Sequence, residues 1–259
     1  VTTVPAFTTL GGGPTVLMLH GVAGGHLAFA PQVETLASAG YRAVAWDMPG
    51  YGHSAPIEPY TFKGLAQSCI ALIEALKCER VVLLGQGLGG MVAQEVVARR
   101  PELVDKLVLC GTWAAFDLPQ PEAFVAERVA PLDAGQGMEQ IAQLEVPQMV
   151  GPGALPEGVR LAKHCMGQVP AATYRRALEC MVTFDRRANL ANILVPTLVL
   201  AGEHDPLAPP AAMKRMADAI PYSTFLELKG VGQLQNLEAP DDFDGMLLNF
   251  LALPAQLLH

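Results

Sequence analysis

The sequence predicts an α/β fold: a mostly parallel sheet with helices on both faces and a helical segment inserted late in the sheet. Three observations predict it. Short apolar runs alternate with amphipathic stretches of helical spacing. Each run is nearly continuous, as a strand covered on both faces must be. The alternation stops near Trp113 and resumes near Arg187. At 259 residues the chain suits one large domain with an insertion.

The elements follow in order. "TVLMLHG" (15–21) reads as a buried strand closed by His-Gly. "HLAFAPQVETLASAG" (26–40) has helical spacing and stops at a glycine. "YRAVAWDMPG" (41–50) is a second strand, ending near Asp47 at Pro-Gly. "FKGLAQSCIALIEALKC" (62–78) is an amphipathic helix with Leu65, Cys69, Leu72, Ile73 and Leu76 on one face. "RVVLLG" (80–85) is a third strand, 88–100 a helix, and "VDKLVLCG" (104–111) a fourth strand. From 113 to 187 there are helical pieces broken by Pro and Gly, and no convincing strand. That is too long for an ordinary loop. A strand at 195–206 with an acidic end, a helix at 209–220, a last strand at 223–230 and a closing helix at 238–253 complete the chain. The expected division is residues 1–112 with 188–259 as the core, and 113–187 as the helical insertion.

The stretch "VVLLGQGLGGMVAQ" (81–94) fits two motifs. Gly85, Gly87 and Gly90 match G-x-G-x-x-G, the dinucleotide fingerprint. That motif belongs to the first strand-turn-helix unit and needs a carboxylate at the end of the next strand. Here at least two strands come first, and the next one ends Leu109-Cys110-Gly111-Thr112. No dinucleotide or other cofactor is expected. The same stretch also fits G-x-S-x-G, the nucleophile elbow, except that glycine occupies the serine position. The sharp turn needs small neighbours, and Gly85, Gly89 and Gly90 supply them.

On "LMLHG", "AWDMPGYGHS", "VVLLGQGLGGMVAQEVVARRPELVDKLVL", "VPTLVLAGEHDPLAPP" and "KGVGQLQNLEAPDDF", the chain resembles the α/β-hydrolase superfamily over nearly its whole length. It is most similar to the cap-bearing bacterial esterases, enol-lactonases, C–C hydrolases and non-heme haloperoxidases. The resemblance implies that 113–187 is a helical cap that roofs the pocket. It implies an oxyanion hole from the amides of Val22 and Leu88, with Gln86 and His26 near the ligand. It places the catalytic acid on Asp205, the nucleophile on Gly87 and the general base on Gln233. Gly87 has no side chain to attack with, and glutamine does not shuttle protons near neutral pH.

Other groups offer no obvious replacement. His20 and His204 read as structural, and His53 as structural or surface. His26 starts the first helix and is expected to face the pocket. His164 lies in the insertion and His259 at the C-terminus. Cys110 ends a strand on the site side, but a buried thiol without a base stays protonated. Ser54 lies beside the site loop without a partner. Met138, Met149, Met166 and Met181 read as insertion core or pocket lining.

Formal net charge is −8, which argues against nucleic acid or an anionic membrane as partner. No apolar run approaches the roughly 18 residues of a membrane span. The five cysteines are scattered and no His/Asp/Glu cluster has ligand spacing, so neither a disulfide framework nor a metal site is expected. No secretory signal is read, and the expected compartment is a reducing cytoplasm. A monomer or a homodimer fits the composition.

Three functions fit. One is a small carbonyl ligand bound under the cap, with lyase-, isomerase- or cyclase-type chemistry using the oxyanion hole and Asp205. Asp205 would then pair with the Gln233 amide or act as a base with a raised pKa. The second is a non-catalytic pseudo-hydrolase that binds a ligand or a protein. The third is an esterase- or lactonase-type hydrolase in an inactivated or water-activated form.

Overall fold

A computed structural model describes residues 2–254. Seven strands form one sheet: β1 (Phe7–Leu10), β2 (Thr15–Leu19), β3 (Arg42–Trp46), β4 (Val81–Gln86), β5 (Val104–Cys110), β6 (Thr197–Gly202) and β7 (Ser223–Leu228). Their order is β1-β3-β2-β4-β5-β6-β7. Only β1 runs antiparallel, with Phe7 opposite Trp46. The remaining pairs are parallel.

Helices cover both faces. They are α1 (Ala30–Ser38), α2 (Phe62–Ala75), α3 (Leu88–Arg99), α4 (Pro121–Asp133), α5 (Met138–Met149), α6 (Pro156–Gln168), α7 (Ala171–Met181), α8 (Pro210–Asp218), α9 (Gln235–Glu238) and α10 (Pro240–Ala252). Strand side chains alternate between two cores. Leu17 and Leu19 point to one, packed by α2, α3 and the insertion. Val16 and Met18 point to the other, packed by α1 and α10. Local signals set the ends. The Thr61 hydroxyl caps α2 by accepting the Gly64 N–H at 3.1 Å. Pro240 opens α10, with Asp241 and Asp242 in its first turn.

Four helices, α4 to α7, fill the interval between β5 and β6. An isolated bridge between Ala115 and Asp185 ties the ends of this interval together. Pro131 and Pro147 lie inside α4 and α5 and do not break them. The α5–α6 connection is sewn to the loop after β7: Gly153 N–H reaches Gly230 O at 2.7 Å and Leu155 N–H reaches Glu238 O at 2.9 Å.

Three elements depart from the sequence reading. β1 lies in a stretch to which the sequence reading assigned no element, because its residues are all exposed and carry no apolar run. Residues His26–Phe29 form a tight 3-10 turn before α1. The short helix α9 precedes the closing helix. His259 lies outside the described residues.

The strand order places the functional end. β2 has β3 on one side and β4 on the other, so connections leave in opposite directions from the carboxyl ends of β2 and β4. A crevice opens at such a switch point.

Candidate functional site

The crevice is built around Gly87. β4 ends at Gln86 and α3 starts at Leu88, so one residue makes the turn. Gly87 has φ 56° and ψ −124°, a region nearly closed to residues with a Cβ. The turn is tightened by close backbone packing: a Cβ on Gly89 would lie 2.0 Å from Leu19 O, and one on Gly85 2.3 Å from Gly89 O. Gly87 N–H donates to Cys110 O at 3.1 Å, and Thr112 Oγ1 donates to Gly87 O at 2.6 Å. Around Gly87 itself there is room. A Cβ there would meet only Gly21 Cα at 3.6 Å and Gln233 Nε2 at 3.7 Å.

Two amides next to this turn have no acceptor among the described residues. Leu88 N–H is the first of α3, where no helical partner exists. Val22 N–H belongs to the loop after β2. That loop is held from below, since Tyr51 O–H donates to Val22 O at 2.8 Å. His20 fixes its other side. Its Nε2 accepts Met48 N–H at 3.0 Å, so its Nδ1 carries the proton to Gly21 O at 2.8 Å. Burial lowers the His20 pKa to about 4, so the ring is neutral, in keeping with a structural role.

Asp205 and Gln233 come together beside Gly111, as their chain order implies. A Cβ on Gly111 would lie 3.1 Å from Gln233 Nε2 and 3.3 Å from Asp205 Oδ2. Of the two roles left open for Asp205, the pairing with the Gln233 amide is not made. Gln233 Nε2 donates to Gly111 O at 2.6 Å, because that carbonyl lies within direct reach. Asp205 Oδ1 accepts the Leu207 and Ala208 amides at 2.9 and 3.0 Å. Asp205 Oδ2 and Gln233 Oε1 are enclosed and have no donor. Burial raises the Asp205 pKa, and its two amide bonds only partly offset this. Glu238 holds the loop from behind: Oε1 accepts Gly151 and Gly232 N–H at 2.6 and 2.9 Å, and Oε2 accepts Leu234 N–H at 2.8 Å. Gln233 N–H reaches Met149 O at 2.7 Å.

A cavity of about 70 Å³ lies between the turn and the insertion. Its floor is Gly21, Val22, Gln86, Gly87, Leu88 and Gln233. Its roof is largely apolar, with Phe124, Met149, Met166 and Met181. The roof also carries Arg128, Glu145 and Tyr174, which the sequence reading missed. Nothing in their spacing sets them apart from other insertion residues. The volume exceeds that of one water several times over, so a compound of a few heavy atoms fits.

The remaining expectations separate. Asp205 does not line the cavity. His26 does not either: its Nδ1 pairs with Asp47 Oδ1 at 2.9 Å, and the ring faces a separate surface depression. The buried carboxylate of Asp47 holds both its ring and its backbone N–H, which turns it outward. Ser54 is structural, donating to Asp47 O at 2.6 Å and accepting Ala6 N–H at 2.9 Å. Burial pushes the Cys110 thiol far up, which leaves it inert. His53, His164 and His204 are exposed. Met138 is buried but does not line the cavity.

This arrangement of an α/β sheet and a one-residue turn after β4 defines a class. Residues 14–240 match the alpha/beta hydrolase fold family, and the chain belongs to it. It is 30% identical over 250 residues to "Putative carbamate hydrolase RutD" of Agrobacterium fabrum, covering 93% of this chain and 94% of that one. It is 29% identical over 208 residues to 3-oxoadipate enol-lactonase 2 of Acinetobacter baylyi, covering 79% and 76%. Among solved structures, the enol-lactonase from Burkholderia xenovorans LB400 superposes with a TM-score of 0.87 at 25% identity, covering 96% of each chain. Among the described residues, no helix is long and apolar enough to cross a membrane.

Proposed function

We propose that this protein binds a small acyl carbonyl compound between the Gly87 turn and the helical insertion, and forms no acyl-enzyme. The observation that carries this reading is the turn itself. It keeps the sharp positive-φ backbone of a nucleophile elbow, with open space and two unpaired amides beside it, but offers no nucleophile. The Val22 and Leu88 amides act as the oxyanion-type donors, and a carbonyl oxygen is the group that accepts hydrogen bonds from two such N–H donors. Gln233 closes the floor without titrating. The insertion over 113–187 acts as a cap that sets ligand size. The names of the relatives support this ligand class, since lactones and carbamates are both acyl carbonyl compounds.

Lyase- or isomerase-type chemistry through Asp205 is the weaker reading. A base must come within about 3.2 Å of the proton it takes, directly or through one water, and Asp205 is set back from the cavity.

The test is direct binding. Trp113 lines the cavity, while Trp46 is fully buried in the sheet. Titration with γ-butyrolactone and methyl carbamate is expected to give a saturable change in Trp113 fluorescence, with no covalent mass increase. No saturable change with either compound, or a stable acyl adduct, contradicts the reading.

A further inference from the structure

We infer that Gln86 makes this site selective for carbonyl compounds that carry an N–H beside the carbonyl, meaning amides, lactams and carbamates, over esters, lactones and ketones. The inference rests on the binding reading above and names the ligand chemistry within it.

Gln86 is the last residue of β4, and its side chain is 8% exposed. Its orientation is fixed by one bond: Nε2 donates to Gln233 O at 3.1 Å. Turning the amide over would set two oxygens against each other, so Nε2 must face Gln233 and Oε1 must face away. Away from Gln233 lies Gly21, where a Cβ would stand 2.6 Å from Gln86 Oε1. Glycine at 21 therefore leaves room for that oxygen. Oε1 accepts no hydrogen bond from any described residue. It also differs from Gln233 Oε1, which is completely enclosed, and Gln86 lines the cavity.

The floor thus presents two kinds of group. Val22 and Leu88 offer N–H donors. Gln86 offers an acceptor held in one orientation. A carbonyl with an adjacent N–H satisfies both sets. A carbonyl with an adjacent ester oxygen places an acceptor against Oε1 and leaves that buried oxygen unpaired. Glu145 is another acceptor on the cavity wall, but it belongs to α5 of the insertion and not to the floor.

The experiment compares 2-pyrrolidinone, its ester counterpart of the same ring shape, γ-butyrolactone, and the N-methylated lactam N-methyl-2-pyrrolidinone. Affinities are read from Trp113 fluorescence with the unaltered chain and with Gln86→Met. The unaltered chain should bind the N–H lactam about tenfold more tightly than the other two, the scale of one neutral hydrogen bond. In folded Gln86→Met the ratio should fall to about one. The N-methyl compound needs no variant, so the inference stays testable if Gln86→Met fails to fold. Equal affinity for all three in the unaltered chain overturns the selectivity and leaves the carbonyl reading intact. A preference that survives in folded Gln86→Met overturns the assignment to Gln86. Binding by none of the three overturns the carbonyl reading, and this inference with it.

Discussion

The turn at Gly87 and the two loops that carry Asp205, after β6, and Gln233, after β7, differ in how completely their side-chain polar atoms are satisfied. At the turn, Gly87 N–H and O both have partners, and the missing side chain leaves only space. In the loops, Asp205 Oδ2 and Gln233 Oε1 are buried without a donor. Glycine takes a side chain away without leaving a polar atom behind. Gln233 leaves its own acceptor and the Asp205 carboxylate oxygen Oδ2 without a donor among the described residues. Each such atom costs about 1–3 kcal/mol. The turn therefore holds no enclosed side-chain atom without a partner, whereas each of the two loops holds one.

Variants can break or sharpen this contrast. The largest effect is expected from Gly89→Ala, whose Cβ would enter the backbone at Leu19. It should lower stability in urea denaturation by about 3 kcal/mol or more. Gly87→Ala, two residues away, has space and bears only the unfavourable backbone region, so its cost should be smaller, about 2 kcal/mol. Equal losses at the two positions would contradict the open space beside Gly87.

Glu238→Gln should come next, at about 2 kcal/mol, because it turns an N–H donor toward amides that need an acceptor. Chemical denaturation at neutral pH reads it.

Asp205→Asn should act in the opposite direction. It keeps an acceptor for Leu207 and Ala208 and puts a donor where Oδ2 stands alone. The Asp205 pKa is raised in the folded state. Its contribution is therefore full below the unfolded carboxylate pKa and is lost as pH rises through the folded value. The asparagine variant lacks this loss. It should be the more stable chain above that window by about 1 kcal/mol and show no advantage below it. A variant less stable than the unaltered chain at neutral pH would show that Oδ2 has a donor after all.

Much of this was legible in the sequence. Apolar runs such as Val81–Gln86 mark strands buried on both faces, and the glycines at 85, 89 and 90 announce the tight turn. Chain order brings Gly87, Asp205 and Gln233 to one place. Side-chain direction was not legible. His26 follows the loop that lines the cavity, yet the carboxylate of Asp47 turns it outward. Gln233 chooses a backbone carbonyl over Asp205, a choice that depends on where Gly111 O sits in the folded chain. β1 was missed because an exposed edge strand has no apolar signature. Arg128, Glu145 and Tyr174 were missed because only the packing of the insertion gathers them over the cavity.

The reading proposed above is an α/β-hydrolase scaffold with no nucleophile at position 87 and no base at position 233. Its most direct test is p-nitrophenyl acetate turnover by the unaltered chain and by Gly87→Ser/Gln233→His, side by side. The double variant should be faster by about 100-fold or more, because a restored nucleophile and base exceed what binding donors supply alone. Equal rates in the two folded proteins would contradict the account.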